Sequence, residues 1–128
     1  MIILGIDPGP TQSGCVVWDT ASQKVCSARL EENWQVYNLV ASDDYSDKCA
    51  IENVACYGMA VGESIFETAK AIGVFRYLAH SKAMEIDRRQ IKIALCGSMK
   101  AKDANIRQRL IDLYGPVGTK KVPGPLYG

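Results

Sequence analysis

The sequence begins Met1-Ile2-Ile3-Leu4-Gly5-Ile6-Asp7, a stretch of apolar residues and glycine that ends in an acid. Pro8-Gly9-Pro10 follows at once and breaks any regular structure. Because the apolar residues do not alternate with polar ones, we expect a central β-strand that is covered on both faces. No basic segment precedes the stretch, and the acid falls where a signal peptide would still be apolar. We therefore interpret it as a buried strand and not as a signal peptide.

Further elements follow from the spacing of apolar residues and turn residues. Two strands are predicted directly after the first, and we expect the three to form an antiparallel meander. Helices and strands then alternate, which predicts an α/β domain with a mixed five-stranded sheet flanked by helices. The predicted elements are strands over 2–7, 15–18, 24–30, 49–54 and 91–95, and helices over 31–40, 61–80 and 102–114.

Two features of the long helix over 61–80 give local expectations. Ser64 and Glu67 have the spacing of a capping box, which would place the start of the helix at Ser64. Gly73 lies inside the helix, where glycine costs about 1 kcal/mol relative to alanine. We expect this glycine to permit close packing against the sheet.

Composition limits the class of protein. The chain has 128 residues, of which 48% are hydrophobic and 23% charged, as in a single soluble domain. No apolar run is long enough to cross a bilayer. The five cysteines are irregularly spaced and form no C-x-x-C pair, which argues against a zinc site or a disulfide framework and indicates free thiols in a reducing cytosol.

Charge is distributed unevenly along the chain. Residues 1–80 carry 5 basic and 10 acidic side chains, whereas residues 81–128 carry 10 basic and 4 acidic ones. Such a division fits a carboxylate site beside a phosphate-binding surface, but it also fits a solvated basic tail.

Two acids stand at the ends of apolar strands. Asp7 ends the first strand, and Glu52 follows Ala50-Ile51 in the fourth. If the two strands are neighbours, the carboxylates converge and repel each other unless a divalent cation binds between them. The alternative is that each acid simply accepts hydrogen bonds from turn amides.

Several segments resemble the RuvC-type Holliday-junction resolvases, which have an RNase H-like fold. Gly5-Ile6-Asp7-Pro8-Gly9, with Ser13-Gly14 after it, resembles the first motif of that family, and Ala50-Ile51-Glu52-Asn53-Val54 resembles the second. Residues 69–73 and 100–110 resemble its following helix and its lysine-rich DNA-contacting region. The likeness extends from Met1 to about Tyr114.

The resemblance implies a metal-dependent endonuclease that hydrolyses four-way DNA junctions. Members of the family use four acids to bind two Mg²⁺ or Mn²⁺ ions, and Asp7 and Glu52 match the first two as catalytic metal ligands. The other two acids normally lie on a C-terminal helix. We expect residues 1–114 to form the resolvase domain and the Pro/Gly-rich residues 115–128 to lead to that helix. The 128-residue chain should therefore bind DNA weakly and cleave it poorly.

The resemblance also suggests partners and DNA contacts. It implies a homodimer, with Phe66, Phe75 and Tyr77 as exposed candidates for the interface, that acts in the cytoplasm of a bacterial or phage-infected cell. Tyr57 is the candidate to stack on a base, and packing over the helix start is the alternative, which is slightly favoured for this residue. In the last predicted helix we expect phosphate contacts on two flanks, from Lys100 with Arg107 and from Lys102 with Arg109. A solvated amphipathic helix is the alternative for these four residues.

Two other functions remain open at this point. A non-catalytic junction-binding or regulatory module could have the same fold. An actin-like ATPase fragment could share the Gly5-Ile6-Asp7 opening, but the sequence shows no second phosphate-binding hairpin.

Overall fold

The computed structural model describes residues 1–55, 58 and 60–124. Its sheet has strand order β3-β2-β1-β4-β5, in which the first three strands are antiparallel and β4 and β5 run parallel to β1. The mixed sheet with three antiparallel leading strands is therefore confirmed. The strands are β1 (Ile2–Asp7), β2 (Gln12–Asp19), β3 (Lys24–Glu32), β4 (Lys48–Glu52) and β5 (Ala83–Ile86), and the helices are α1 (Asn33–Ala41), α2 (Glu63–Ala79), α3 (Arg88–Cys96) and α4 (Asp103–Tyr114).

The hydrophobic core lies between one face of the sheet and helices α1 and α2. Leu4 of β1 and Ile51 of β4 are buried on this face, and Val36 of α1 packs with them. Phe75 of α2 is fully buried, and its ring lies 4.9 Å from that of Tyr37 at an interplanar angle of 59°. The expectation that Phe75 is exposed for a dimer interface is therefore wrong, because this side of α2 faces the sheet.

The fifth strand is misplaced by the sequence prediction. Residues 91–95 belong to α3, and the strand that pairs with β4 is Ala83–Ile86. The helix begins where Gln90 accepts a hydrogen bond from the backbone N–H of Asp87 at 2.8 Å, and it ends at Gly97, whose φ of 71° is left-handed. Ile91 and Leu95 are four residues apart and point to one side of this helix.

The long helix also differs from its prediction. It begins at Glu63 after Gly62, with no side-chain cap, so the capping box at Ser64 does not form. Gly73 is exposed, and a Cβ added there would meet nothing within 4 Å. It therefore does not serve packing against the sheet, since it lies on the opposite side of α2 from the buried Ile72 and Phe75.

The cysteine prediction is confirmed for the described residues. Cys15, Cys26, Cys49 and Cys96 are free thiols. Burial raises the pKa of Cys49 to about 11, which makes this thiol poorly nucleophilic at neutral pH. Within residues 1–55, 58 and 60–124, no helix is long and apolar enough to span a membrane.

Candidate active site

The two predicted acids lie side by side at the carboxyl ends of neighbouring strands. β1 and β4 are adjacent and parallel, and Ile6 pairs with Ile51, so Asp7 and Glu52 occupy the next position on both strands. Both side chains alternate away from the core and project from the second face of the sheet. Burial raises the pKa of the Glu52 carboxyl, and the nearby charge of Asp7 raises it further. The predicted convergence of the two acids is therefore confirmed.

Asp7 and Glu52 stand at a cavity of about 740 Å³ between the second face of the sheet and the α3–α4 pair. No side chain of α3 or α4 is fully buried, so these helices cover this face only partly. The cavity combines a mostly apolar lining with a few charged groups, as ligand sites usually do. Its charged lining residues are Asp7, Arg29, Glu52, Arg88, Asp103 and Arg107.

The site contains an arginine and a third acid that the sequence prediction missed. Arg88 donates from Nη1 to Glu52 Oε1 at 2.9 Å and from Nη2 to Oδ1 of Asp103. The bond to Asp103 raises the pKa of Arg88 most, and the bond to Glu52 raises it further. The bond between Arg88 and Asp103 also lowers the pKa of Asp103. Arg88 also opposes the rise in the pKa of Glu52. The misplaced fifth strand hid this residue, because Arg88 lies two residues beyond the end of the true strand.

The chemistry of the pair Asp7 and Glu52 fits a divalent cation. The two carboxylates supply hard oxygen ligands, and their mutual repulsion favours a bound positive charge. Mg²⁺ is commonly held by one or two carboxylates and keeps several waters, so two acids suffice for one hydrated ion. The described part of the chain contains no cluster of three or more His, Cys, Asp or Glu arranged to hold a metal.

A hydrogen-bonded network fixes the loop that follows Asp7. The buried Ser13 hydroxyl donates to Asn33 Oδ1 at 2.6 Å and accepts from the backbone N–H of Gly9 at 3.2 Å. Asn33 Nδ2 donates to the carbonyl of Gly9 at 3.0 Å, and the Asn33 N–H donates to the carbonyl of Thr11 at 2.9 Å. The first residue of α1 thus holds the β1–β2 loop in place beside the acid.

The four predicted basic contacts are all exposed, but they are not on the predicted helical flanks. Helix α4 starts at Asp103, so Lys100 lies in the preceding turn and Lys102 is the residue just before the helix. Among the four, Arg107 lines the cavity. Tyr57 lies outside the described residues.

The fold of this chain is similar to that of known proteins. No protein-family model and no curated protein sequence matches this chain. A solved structure of Thermus thermophilus RuvC is similar with a TM-score of 0.65 at 19% sequence identity, over 98% of this chain and 85% of that one. The chain has the RuvC fold. The RuvC of the same organism in complex with a Holliday junction substrate is similar at 17% identity, with a TM-score of 0.65 and coverage of 98% and 86%. The RuvC fold confirms the predicted RNase H-like architecture.

Proposed function

We propose that this protein is a divalent-cation-dependent nuclease of four-way DNA junctions and that Asp7 and Glu52 are its catalytic metal ligands. The observation that supports this most is the meeting of the two carboxylates at the ends of β1 and β4, in a chain with the RuvC fold. A Holliday junction is the substrate in the similar RuvC complex. We expect the protein to act in the cytoplasm on bacterial or phage DNA.

The chain's own residues divide the work of such a reaction. Asp7 and Glu52 would hold Mg²⁺ or Mn²⁺, which supplies Lewis-acid stabilisation to the reacting phosphodiester. Arg88 donates a hydrogen bond to Glu52 Oε1 and so orients this carboxylate. Lys100, Lys102, Arg107 and Arg109 would hold backbone phosphates around the cavity, and Tyr57 would stack on a base near the crossover.

The number of acids limits the expected rate. Two ions are expected in a complete site of the family, whereas Asp7 and Glu52 match only two of its four acids. We therefore propose that residues 1–114 form the resolvase domain and that a site holding only these two acids cleaves slowly. Robust Mg²⁺-dependent cleavage of junctions by the purified chain would contradict that expectation.

Binding to branched and linear DNA tests the proposal directly. The affinity for a four-way junction should exceed that for a linear duplex of the same length and sequence, measured by fluorescence anisotropy in Ca²⁺ to suppress cleavage. Mn²⁺ should then permit slow cleavage near the crossover. Equal affinity for both DNAs would refute junction recognition, whereas junction preference without any cleavage in Mn²⁺ would favour the non-catalytic module.

A stripe on α2 supports a homodimer. Phe66, Gly73 and Tyr77 are seven and four residues apart, which places them on one side of the helix. Phe66 is 60% exposed and Tyr77 is 77% exposed. Gly73 between them carries no side chain, so a second helix could approach closely there. We propose that this stripe forms the contact between two copies.

Replacing Tyr77 with glutamate should therefore convert the dimer to a monomer, because an unpaired charge would be buried in the contact. Sedimentation velocity of the wild type and the Tyr77→Glu variant at the same concentration measures this change. Tyr45→Glu is the matched control, since Tyr45 is 68% exposed and lies in the loop between α1 and β4, not on α2. A wild-type protein that sediments as a monomer, or two variants with the same effect, would rule out the stripe.

A further inference from the structure

Arg88 is placed to do more than orient Glu52. It is the first residue of α3, two residues beyond the end of β5, and it lines the same cavity as Asp7. One nitrogen bonds Glu52 and the other bonds Asp103, so the planar guanidinium spans two acids from different elements. Arg88 lies outside the segments that resemble the nuclease family, and Asp103, although within residues 100–110, was assigned no role by that resemblance.

The two partners of Arg88 differ in exposure. The Glu52 side chain, which bonds Nη1, is 18% exposed, whereas the Asp103 side chain, which bonds Nη2, is 79% exposed. An ion pair with a solvent-exposed carboxylate contributes little, because water and salt screen it. The bond to Asp103 is thus the easier of the two to replace.

We propose that Arg88 binds a backbone phosphate of the DNA and that Asp103 occupies the position of this phosphate on the guanidinium until the DNA displaces it. The proposal rests on the proposed nuclease function. Carboxylate and phosphate oxygens both accept charge-assisted hydrogen bonds from a guanidinium N–H, so a phosphate can replace Asp103 at Nη2 without moving the arginine. Nη1 would stay on Glu52 throughout, which places the captured phosphate next to the two catalytic acids.

This arrangement makes Asp103 an inhibitor of DNA binding. Its carboxylate occupies the donor that a phosphate requires, and its charge repels the DNA backbone. Removing that charge should increase affinity, and the increase should depend on Arg88. A residue with a purely structural role would not show this dependence.

Three single variants first test the inference through junction affinity in Ca²⁺. Asp103→Asn should bind a four-way junction about three- to tenfold more tightly than the wild type. Asp112→Asn is the matched control, because it removes the same charge from the same helix, where Asp112 accepts a hydrogen bond from Gln108. It should change affinity by less than about twofold. Arg88→Gln should weaken binding and lower the slope of log affinity against log salt by about one.

The decisive comparison is the double variant. Adding Asp103→Asn to Arg88→Gln should give no gain beyond that of Asp112→Asn in the same background. Arg88→Lys retains the charge without the planar guanidinium, so adding Asp103→Asn to it should increase junction affinity less than in the wild type. This variant keeps the test valid if Arg88→Gln is unstable. An equal gain with and without Arg88 would overturn the inference, and so would wild-type affinity in Arg88→Gln.

The same measurements separate this inference from the proposed function. Equal binding of junction and duplex would refute the proposed substrate. The coupling between Asp103 and Arg88 would still be measurable on duplex DNA, because a phosphate contact carries no information on branching.

Discussion

Replacing Asp7 with asparagine should weaken Mn²⁺ binding by at least tenfold. The substitution keeps the size of the side chain but removes one of the two negative charges at the ends of β1 and β4. A tenfold loss of affinity corresponds to about 1.4 kcal/mol of binding free energy. This is a small loss for the removal of one of the two carboxylates proposed to bind the ion. Titration of free Mn²⁺ by electron paramagnetic resonance measures the affinity without any need for cleavage.

Asp44→Asn is a suitable control for that experiment. Asp44 lies in the loop before β4, at the opposite end of the strands from Asp7, and does not line the cavity. Its replacement should leave Mn²⁺ affinity unchanged. If Asp7→Asn and Asp44→Asn bind the ion equally well, the two-acid metal site is wrong.

The Asp7 variant also has a proton-linked readout. Because the charge of Asp7 raises the pKa of Glu52, Asp7→Asn should lower that pKa. A carboxyl with a raised pKa in the folded protein binds a proton more readily than in the unfolded chain. Stability therefore falls as pH increases from the unfolded pKa through the folded one. The free energy of unfolding should therefore fall over a narrower pH range in Asp7→Asn than in the wild type. Denaturant titrations at several pH values can detect this difference.

Replacing Phe75 with alanine should lower the free energy of unfolding by about 3 to 5 kcal/mol. Phe75 is fully buried between the sheet and α1, and its ring contacts Tyr37 at a tilted angle. The variant loses the burial of a large ring, leaves a cavity and removes the aromatic contact. Urea denaturation followed by circular dichroism measures the change.

Phe66→Ala provides the comparison for Phe75. It removes the same side chain from the same helix, but Phe66 is 60% exposed. We expect a loss below about 1 kcal/mol when both variants are measured at a concentration at which the protein is monomeric, since Phe66 is also part of the proposed dimer contact. Similar losses in the two variants would mean that the helix is rotated relative to the face described here.

The sequence predicted best where local pattern and tertiary environment agree. β1 is an unbroken apolar run that ends in an acid, and this pattern identified both the central strand and Asp7. Glu52 was found by the same reasoning. The adjacency of the two strands, on which the site depends, could only be assumed until the parallel pairing of Ile6 with Ile51 was seen.

The failures have distinct physical reasons. Strand β5 is only four residues long, and Ile91-Lys92-Ile93 in α3 imitates the alternation of a strand. The ion pair of Arg88 with Asp103 joins residues fifteen apart through the packing of α3 on α4, so no local spacing reveals it. The rotation of α2 about its axis was also uncertain from sequence, since aromatic residues occur on both sides; hence Phe75 was expected outside and Gly73 inside.

The tie between Asn33 and the Gly9–Thr11 segment has a consequence for motion during the reaction. Moving this segment would break hydrogen bonds to Gly9 and Thr11, each worth about 1 kcal/mol, and would disturb a helix already anchored by Val36 and Val40. In the proposed nuclease, the Gly9–Thr11 segment next to Asp7 should therefore stay fixed when DNA binds. Under the proposed function, the movements that admit a branched DNA should then occur in α3 and α4, which bury no side chain fully.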